Sequence, residues 1–120
     1  MKLLICDDSV MIRKLVEKIV RTRYPEVEIV GTAENGLVAV KLFSEHQPDV
    51  VTTDITMPEM DGITAMREML KQKPDARVIV ISAISGAENV KNAIDAGAVD
   101  FITKPFNEND FVKIFGSAVG

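Results

Sequence analysis

Residues 78–82 read Val78-Ile79-Val80-Ile81-Ser82, and this apolar run decides the fold class. A strand with one solvated face alternates apolar and polar side chains, whereas a strand buried on both faces is apolar throughout. Four further short and largely apolar segments occupy residues 3–6, 28–32, 50–53 and 101–103. The run at 78–82 therefore predicts one strand of a parallel sheet that is covered on both faces.

Longer segments with helical spacing lie between the predicted strands. Residues 10–23 place apolar side chains such as Val16 and Ile19 on one face and charged side chains on the other. The same spacing predicts helices over residues 37–46, 63–73, 87–96 and 110–118. Capping residues at the helix ends support these limits: Ser9, Asp61, Asn107, Ser85 paired with Glu88 as a capping box, and Gly97 as a left-handed stop.

Five strands that alternate with five helices indicate an α/β fold, a doubly wound five-stranded parallel sheet. The length of 120 residues corresponds to one domain. In such a sheet, ligands bind outside the carboxyl ends of the strands. We therefore expect the functional site directly after residues 6, 53, 81 and 103.

Composition excludes several functional classes. The chain has 14 basic and 18 acidic residues, and a net charge of −4 argues against nucleic-acid binding. The single cysteine, Cys6, cannot form an internal disulfide. No apolar run approaches the roughly 18 residues that span a bilayer, and no signal peptide is recognisable. We expect a soluble, cytoplasmic, monomeric domain that binds neither nucleic acid nor membrane.

Polar side chains mark the predicted carboxyl ends of four strands. These residues are Asp7, Asp8, Asp54, Ser82 and Lys104. Three carboxylates a few ångströms apart repel one another, so either one holds a proton or a cation lies among them. Mg²⁺ fits this set, because it takes one or two carboxylates, water and a substrate phosphate.

A phosphoryl group would give each of these residues a role. Asp54 is the best nucleophile candidate, because it lies centrally, and its attack on phosphorus would make an acyl phosphate. Lys104 would pair with one phosphoryl oxygen, and Ser82 would donate a hydrogen bond to another. Asp8 would bind the metal directly and Asp7 through water.

Together these segments resemble the receiver domain of response regulators in two-component signalling. The resemblance covers essentially all 120 residues and rests on residues 5–9, 53–62, 82–83 and 101–106. Residues 55–60, after Asp54, look most like the stand-alone chemotaxis (CheY-like) regulators. The resemblance implies a receiver domain over residues 1–120, with the flavodoxin-like strand order 2-1-3-4-5 and a cis Lys104–Pro105 bond.

The resemblance also implies a mechanism. A histidine kinase donates its phosphoryl group to Asp54 while Mg²⁺ is held by Asp7, Asp8, Asp54 and the backbone carbonyl of Thr56. Ser82 moves toward the phosphoryl group, Phe101 turns inward, and the surface formed by the fourth helix, fifth strand and fifth helix changes its affinity for a partner. The implied partners are a histidine kinase, a downstream target such as a flagellar motor switch protein, and a phosphatase.

Other interpretations of the same residues remain open. An aspartyl-phosphate phosphohydrolase usually carries a second Asp two residues after its nucleophile, and Thr56 occupies that position here, so we expect no enzyme beyond self-phosphorylation and self-dephosphorylation. The chain could also be a pure interaction module that accepts no phosphate, or a receiver domain cut from a longer regulator.

Purely structural interpretations also exist for single residues. Asp7 and Asp8 could be an N-cap pair, and periodicity alone makes Phe101 a core residue. We expect Arg13 and Lys14 to form a solvated face outside the site. We expect Cys6 to have a raised thiol pKa, because of the acidic pocket, and to be unreactive.

Overall fold

The computed structural model describes residues 1–84 and 86–119, and its strands and helices alternate along the chain. The elements are β1 (Lys2–Cys6), α1 (Val10–Arg23), β2 (Glu28–Ala33), α2 (Gly36–His46), β3 (Val50–Thr53), α3 (Gly62–Gln72), β4 (Arg77–Ser82), α4 (Ala87–Asp95), β5 (Asp100–Thr103) and α5 (Glu108–Val119). Every predicted strand and helix is present, and no end differs from its predicted position by more than two residues.

The five strands form one parallel sheet in the order β2-β1-β3-β4-β5, which confirms the predicted fold class and strand order. The register pairs Cys6 of β1 with Thr53 of β3, and Ser82 of β4 with Thr103 of β5. Because all strands run in the same direction, their carboxyl ends meet at one edge. The residues that follow β1, β3 and β5 therefore emerge at the same edge of the sheet, with β4 between β3 and β5.

Two apolar layers cover the two faces of the sheet. Val78 and Val80 face a cluster that includes Phe43 of α2 and Met66 of α3, while Ile79 and Ile81 face the helices α1 and α5. All four of these β4 side chains are at most 2% exposed. Burial on both faces explains why β4 has no polar alternation, as its sequence predicted.

The capping predictions are confirmed where the structure describes the residues. Ser9 and Asp61 each accept a hydrogen bond from the backbone N–H three residues later. Asn107 accepts one from the N–H of Asp110, whose carboxylate accepts the N–H of Asn107 in return. Gly97, with φ of 119°, ends α4 in the left-handed conformation.

The predicted capping box before α4 falls partly on Ser85, which lies outside the described residues. The N-cap position of α4 is Gly86, with φ of 109° and no side-chain hydrogen bond. Within residues 1–84 and 86–119, no helix is long and apolar enough to cross a bilayer.

Two adjacent threonines in β3 provide a matched test of buried polar groups. Thr52 and Thr53 are each 1% exposed. The hydroxyl of Thr53 donates a hydrogen bond to the carbonyl of Asp54 at 3.0 Å, whereas the Thr52 hydroxyl finds no partner among the described residues. An unpaired buried hydroxyl has lost its bonds to water without replacement.

We therefore predict opposite effects of the two Thr→Val substitutions. Thr52→Val should raise the free energy of unfolding by about 1 kcal/mol, and Thr53→Val should lower it by about 1 kcal/mol. Urea unfolding followed by circular dichroism measures both values. Destabilisation by Thr52→Val equal to that by Thr53→Val would contradict the assignment of the unpaired hydroxyl.

Candidate functional site

The carboxyl ends of β1 and β3 bring three aspartates together. The backbone N–H of Asp54 donates to the carbonyl of Cys6 at 3.2 Å, which continues the strand pairing one residue past β3. Asp7 and Asp54 consequently leave the sheet next to each other. Asp7, Asp8 and Asp54 each offer a carboxylate oxygen, and these three oxygens lie within 4.8 Å of one another. The predicted grouping of the three aspartates is therefore present in the structure.

The three carboxylates differ in their surroundings. Asp7 is 1% exposed and Asp54 is 7% exposed, whereas Asp8 is exposed to solvent. Asp7 Oδ1 accepts the N–H of Ser9 at 2.9 Å. Asp54 Oδ1 accepts the N–H groups of Ile55 at 2.7 Å and Thr56 at 3.3 Å. Two carboxylates are thus held in place, and the third is open to water.

Lys104 joins the two buried carboxylates. Its Nζ atom lies 2.8 Å from both Asp7 Oδ2 and Asp54 Oδ2. The backbone N–H of Lys104 donates to the carbonyl of Ser82 at 2.9 Å, so the pairing of β4 with β5 places this side chain. The following Lys104–Pro105 bond is cis, as predicted. A cation of the protein itself therefore offsets part of the repulsion among the aspartates.

The pKa values of the paired groups follow from burial and charge. Burial raises the pKa of the Asp7 carboxyl, and the opposing hydrogen bonds from Lys104 and the Ser9 N–H do not cancel that effect. Burial alone would lower the pKa of Lys104, but its hydrogen bonds to Asp54 and Asp7 outweigh burial and raise that pKa. Lys104 therefore stays charged, and a second cation beside Asp7 would favour the ionised carboxylate.

Ser82 is the last residue of β4, whereas Phe101 lies within β5 and pairs with Val80. Ser82 is 1% exposed, and its Oγ atom accepts the N–H of Ile84 at 3.1 Å. Phe101 is 9% exposed and packs in the apolar cluster on the α2 and α3 face of the sheet. Packing alone accounts for Phe101, so its role as a switch stays a prediction.

A backbone hydrogen bond and a close backbone contact hold the segment that carries Thr56. The N–H of Gly62 donates to the carbonyl of Ile55 at 2.7 Å, and this bond closes the loop between β3 and α3. A Cβ atom on Gly62 would lie 1.7 Å from the carbonyl oxygen of Asp54. Only glycine permits this approach, so Gly62 is required for the backbone position around Asp54 and Thr56.

The donor set fits Mg²⁺. Carboxylate oxygens are the hard ligands that Mg²⁺ prefers, and an ion that keeps several waters needs an open side. Asp8 provides that open side, because its carboxylate accepts no hydrogen bond from the described residues. Asp7, Asp8 and Asp54 are thus suited to hold the ion between protein and solvent.

Arg13 contacts the site, and the expectation that it lies in a solvated face is wrong. Its Nη1 atom donates to the backbone carbonyl of Asp7 at 2.6 Å, and its side chain is half-buried. Lys14 is exposed, as expected. Because helical side chains point toward the helix N-terminus, a long side chain in the first turn of α1 can reach back to the preceding loop. The direction in which helical side chains point is the feature from which the contact of Arg13 could have been predicted.

Cys6 is buried directly before the aspartates, at 2% exposure. Burial raises the pKa of its thiol, and the charge of Asp7 raises it further. The predicted direction is confirmed. The main cause is burial in the apolar layer and only secondarily the acidic pocket.

The sequence and the fold match known proteins. A sequence model of the family described as response regulator receiver domain matches residues 3–115. The chain is 48% identical over 118 residues to the chemotaxis protein CheY of Listeria monocytogenes, covering 98% of each. It is 40% identical over 126 residues to a protein-glutamate methylesterase/protein-glutamine glutaminase of Photobacterium profundum, covering 99% of this chain and 32% of that protein. The CheX-CheY-BeF3-Mg²⁺ complex from Borrelia burgdorferi contains a chain with a TM-score of 0.93 and 36% identity, covering 100% of this chain and 90% of that chain.

We predict that Cys6 reacts slowly in the folded protein. The thiolate is the reactive form, so both burial and the raised pKa oppose labelling by a disulfide reagent. Labelling should be at least about 100-fold slower in the folded protein than in urea, and it should stay slow from about pH 7 to 9, where an ordinary thiol with a pKa of about 8.5 speeds up. Cys6 is the only cysteine, so the absorbance of the released reagent reports this site alone. Rapid labelling of the folded protein at neutral pH would contradict the prediction.

Proposed function

Because the chain belongs to the response regulator receiver domain family, we propose that it is a chemotaxis signalling switch that accepts a phosphoryl group on Asp54. The observation that carries the proposal is the pair of 2.8 Å contacts from Lys104 to Asp7 and Asp54, beside the open carboxylate of Asp8. This arrangement joins a nucleophile, a fixed cation and a set of metal ligands at one edge of the sheet.

Asp54 is the nucleophile in this proposal. Its carboxylate attacks the phosphorus of a phosphohistidine in line, an O–P bond forms, the P–N bond breaks, and the imidazole leaves with the bonding electrons. The N–H groups of Ile55 and Thr56 hold one oxygen, and Lys104 holds the other. The carboxylate therefore meets the incoming group in a fixed orientation, which lowers the entropic part of the barrier.

Lys104 and Ser82 receive the phosphoryl oxygens. The ammonium of Lys104 already lies at the nucleophile and pairs with one oxygen as negative charge arrives. The Oγ atom of Ser82 accepts the N–H of Ile84, which leaves its own proton for donation to a second oxygen. Both groups favour the phosphorylated state because they interact more strongly with the added charge than with the carboxylate alone.

Asp7, Asp8, Asp54 and the backbone carbonyl of Thr56 would hold Mg²⁺, with Asp7 acting through water. When bound, the ion neutralises charge on the phosphoryl oxygens. The fit rests on three carboxylates whose oxygens lie within 4.8 Å of one another and on the solvent access of Asp8.

The output of the switch is a change in affinity for other proteins. Phosphorylation biases the positions of Ser82 and Phe101, and with them the surface formed by α4, β5 and α5. The partners are a histidine kinase as donor, a downstream target such as a flagellar motor switch protein, and a phosphatase. We propose that the protein acts as a cytoplasmic monomer. The 48% identity to a chemotaxis protein supports the assignment to chemotaxis signalling.

We predict that Asp54→Asn abolishes phosphorylation. The amide keeps an oxygen that can accept the N–H groups of Ile55 and Thr56, but it is a poor nucleophile. Incubation with acetyl phosphate and Mg²⁺, followed by intact-mass spectrometry, should show one added phosphoryl group on the wild type and none on the variant. Chelation of Mg²⁺ should reduce labelling of the wild type to background.

The matched control is Asp61→Asn at the N-cap of α3. Asparagine caps a helix as well as aspartate does, so this variant should label like the wild type. Equal labelling of Asp54→Asn and the wild type would refute Asp54 as the acceptor.

A further inference from the structure

Arg13 lies one helical turn beyond the aspartates and makes a contact that the phosphoryl-transfer scheme does not use. We propose that Arg13 is a positioning residue for the metal site: it fixes the peptide between Asp7 and Asp8 and so aims the Asp8 carboxylate at the ion. The inference rests on the proposed Mg²⁺ site and adds a residue that acts only through another residue.

The contact is a short, charge-assisted hydrogen bond. Nη1 of Arg13 lies 2.6 Å from the carbonyl oxygen of Asp7, six residues earlier in the chain. A guanidinium is always charged, and hydrogen bonds from charged donors are stronger than neutral ones. The side chain of Arg13 is half-buried, and it lines a surface depression with Thr32, Glu34 and Val38. It therefore lies against the carboxyl end of β2 and is not extended into solvent.

Asp7 is held by several groups besides Arg13. Its N–H donates to the carbonyl of Ala33 at 2.9 Å, and its carboxylate accepts from Ser9 and Lys104. Loss of the Arg13 contact would leave these three restraints in place. The Asp7 side chain should therefore keep its position without Arg13.

The Asp8 side chain has no comparable restraint, although the peptide group after Asp8 is held by the Ser9 N–H, which donates to Asp7 Oδ1 at 2.9 Å. The Asp8 side chain is exposed and accepts no hydrogen bond from residues 1–84 or 86–119. The direction of the side chain therefore depends on the backbone. The carbonyl of Asp7 and the backbone nitrogen of Asp8 belong to one planar peptide group. A hydrogen bond that fixes this carbonyl therefore also fixes the position of the Asp8 nitrogen. Arg13 supplies that bond.

Lys14 separates this geometric role from a general charge effect. It is the next residue on α1, carries the same charge and is exposed. Long-range attraction between α1 and the acidic site would be reduced similarly by removal of either cation. Of these two cations, only Arg13 contacts the Asp7 carbonyl among the described residues, so only the removal of Arg13 should loosen the Asp7–Asp8 peptide.

The experiment compares Mg²⁺ affinity in Arg13→Gln, Arg13→Lys and Lys14→Gln by titration calorimetry, with urea unfolding of each variant. Arg13→Gln should weaken Mg²⁺ binding about 10-fold, because a charged hydrogen bond is lost, and Lys14→Gln less than about twofold. Arg13→Lys keeps the charge but lacks the planar guanidinium group, so it should weaken Mg²⁺ binding by more than Lys14→Gln does. Raising the salt concentration should leave the Arg13 effect in place, since screening acts on exposed charges.

Two outcomes would overturn the proposal. Equal weakening by Arg13→Gln and Lys14→Gln would show that charge alone acts, and wild-type affinity in Arg13→Lys would show that the guanidinium geometry is unnecessary. If Arg13→Gln is unfolded in the absence of urea, Arg13→Lys decides the question. Failure of the proposed function has a different signature, because wild-type protein would then bind no Mg²⁺ in the same titration.

Discussion

The ammonium of Lys104 shares its charge between Asp7 and Asp54, and the arrangement of the whole edge depends on that contact. Two nearly buried carboxylates beside a third would repel one another and lose their hydration together. The lysine offsets part of that cost without any added ion. It leaves Asp8 outside the pair, facing water. The protein can therefore keep its acidic site assembled while one ligand remains open for a metal.

The sheet supplies the distances that the side chains need. Parallel pairing of β1 with β3 sets Cys6 opposite Thr53, so Asp7 and Asp54 begin from adjacent backbone positions. Close backbone contact then holds the loop after Asp54, where Gly62 approaches the carbonyl of Asp54 more closely than a side chain would allow. The position of Asp54 thus results from strand register and from the absence of a Cβ atom at Gly62. Hydrogen bonds from the N–H groups of Ile55 and Thr56 then orient the Asp54 carboxylate.

Much of this arrangement could be predicted because the sequence pattern indicates where each buried strand ends. An apolar run followed by a charge predicts where a buried strand leaves the sheet, and that pattern located Asp7, Asp54 and Lys104. The same reasoning did not predict the contact of Arg13 with the Asp7 carbonyl. Helical periodicity assigns a residue to a face, whereas the contact of Arg13 depends on the path of the loop before α1. The cap of α4 at Gly86 likewise depends on a backbone angle that periodicity does not report.

The bond between Lys104 and Asp7 joins residues that are 97 positions apart in the chain. Such a contact cannot form until almost all of the sheet is in order, because β5 reaches its place only by pairing with β4, and β1 lies two strands further in. Contacts between residues so far apart in sequence carry a large loop-closure entropy and slow folding. During synthesis on the ribosome, a partial chain that already contains Asp7 and Asp54 still lacks its internal cation. The acidic edge therefore acquires its internal cation only after residue 104 of the 120 has been made.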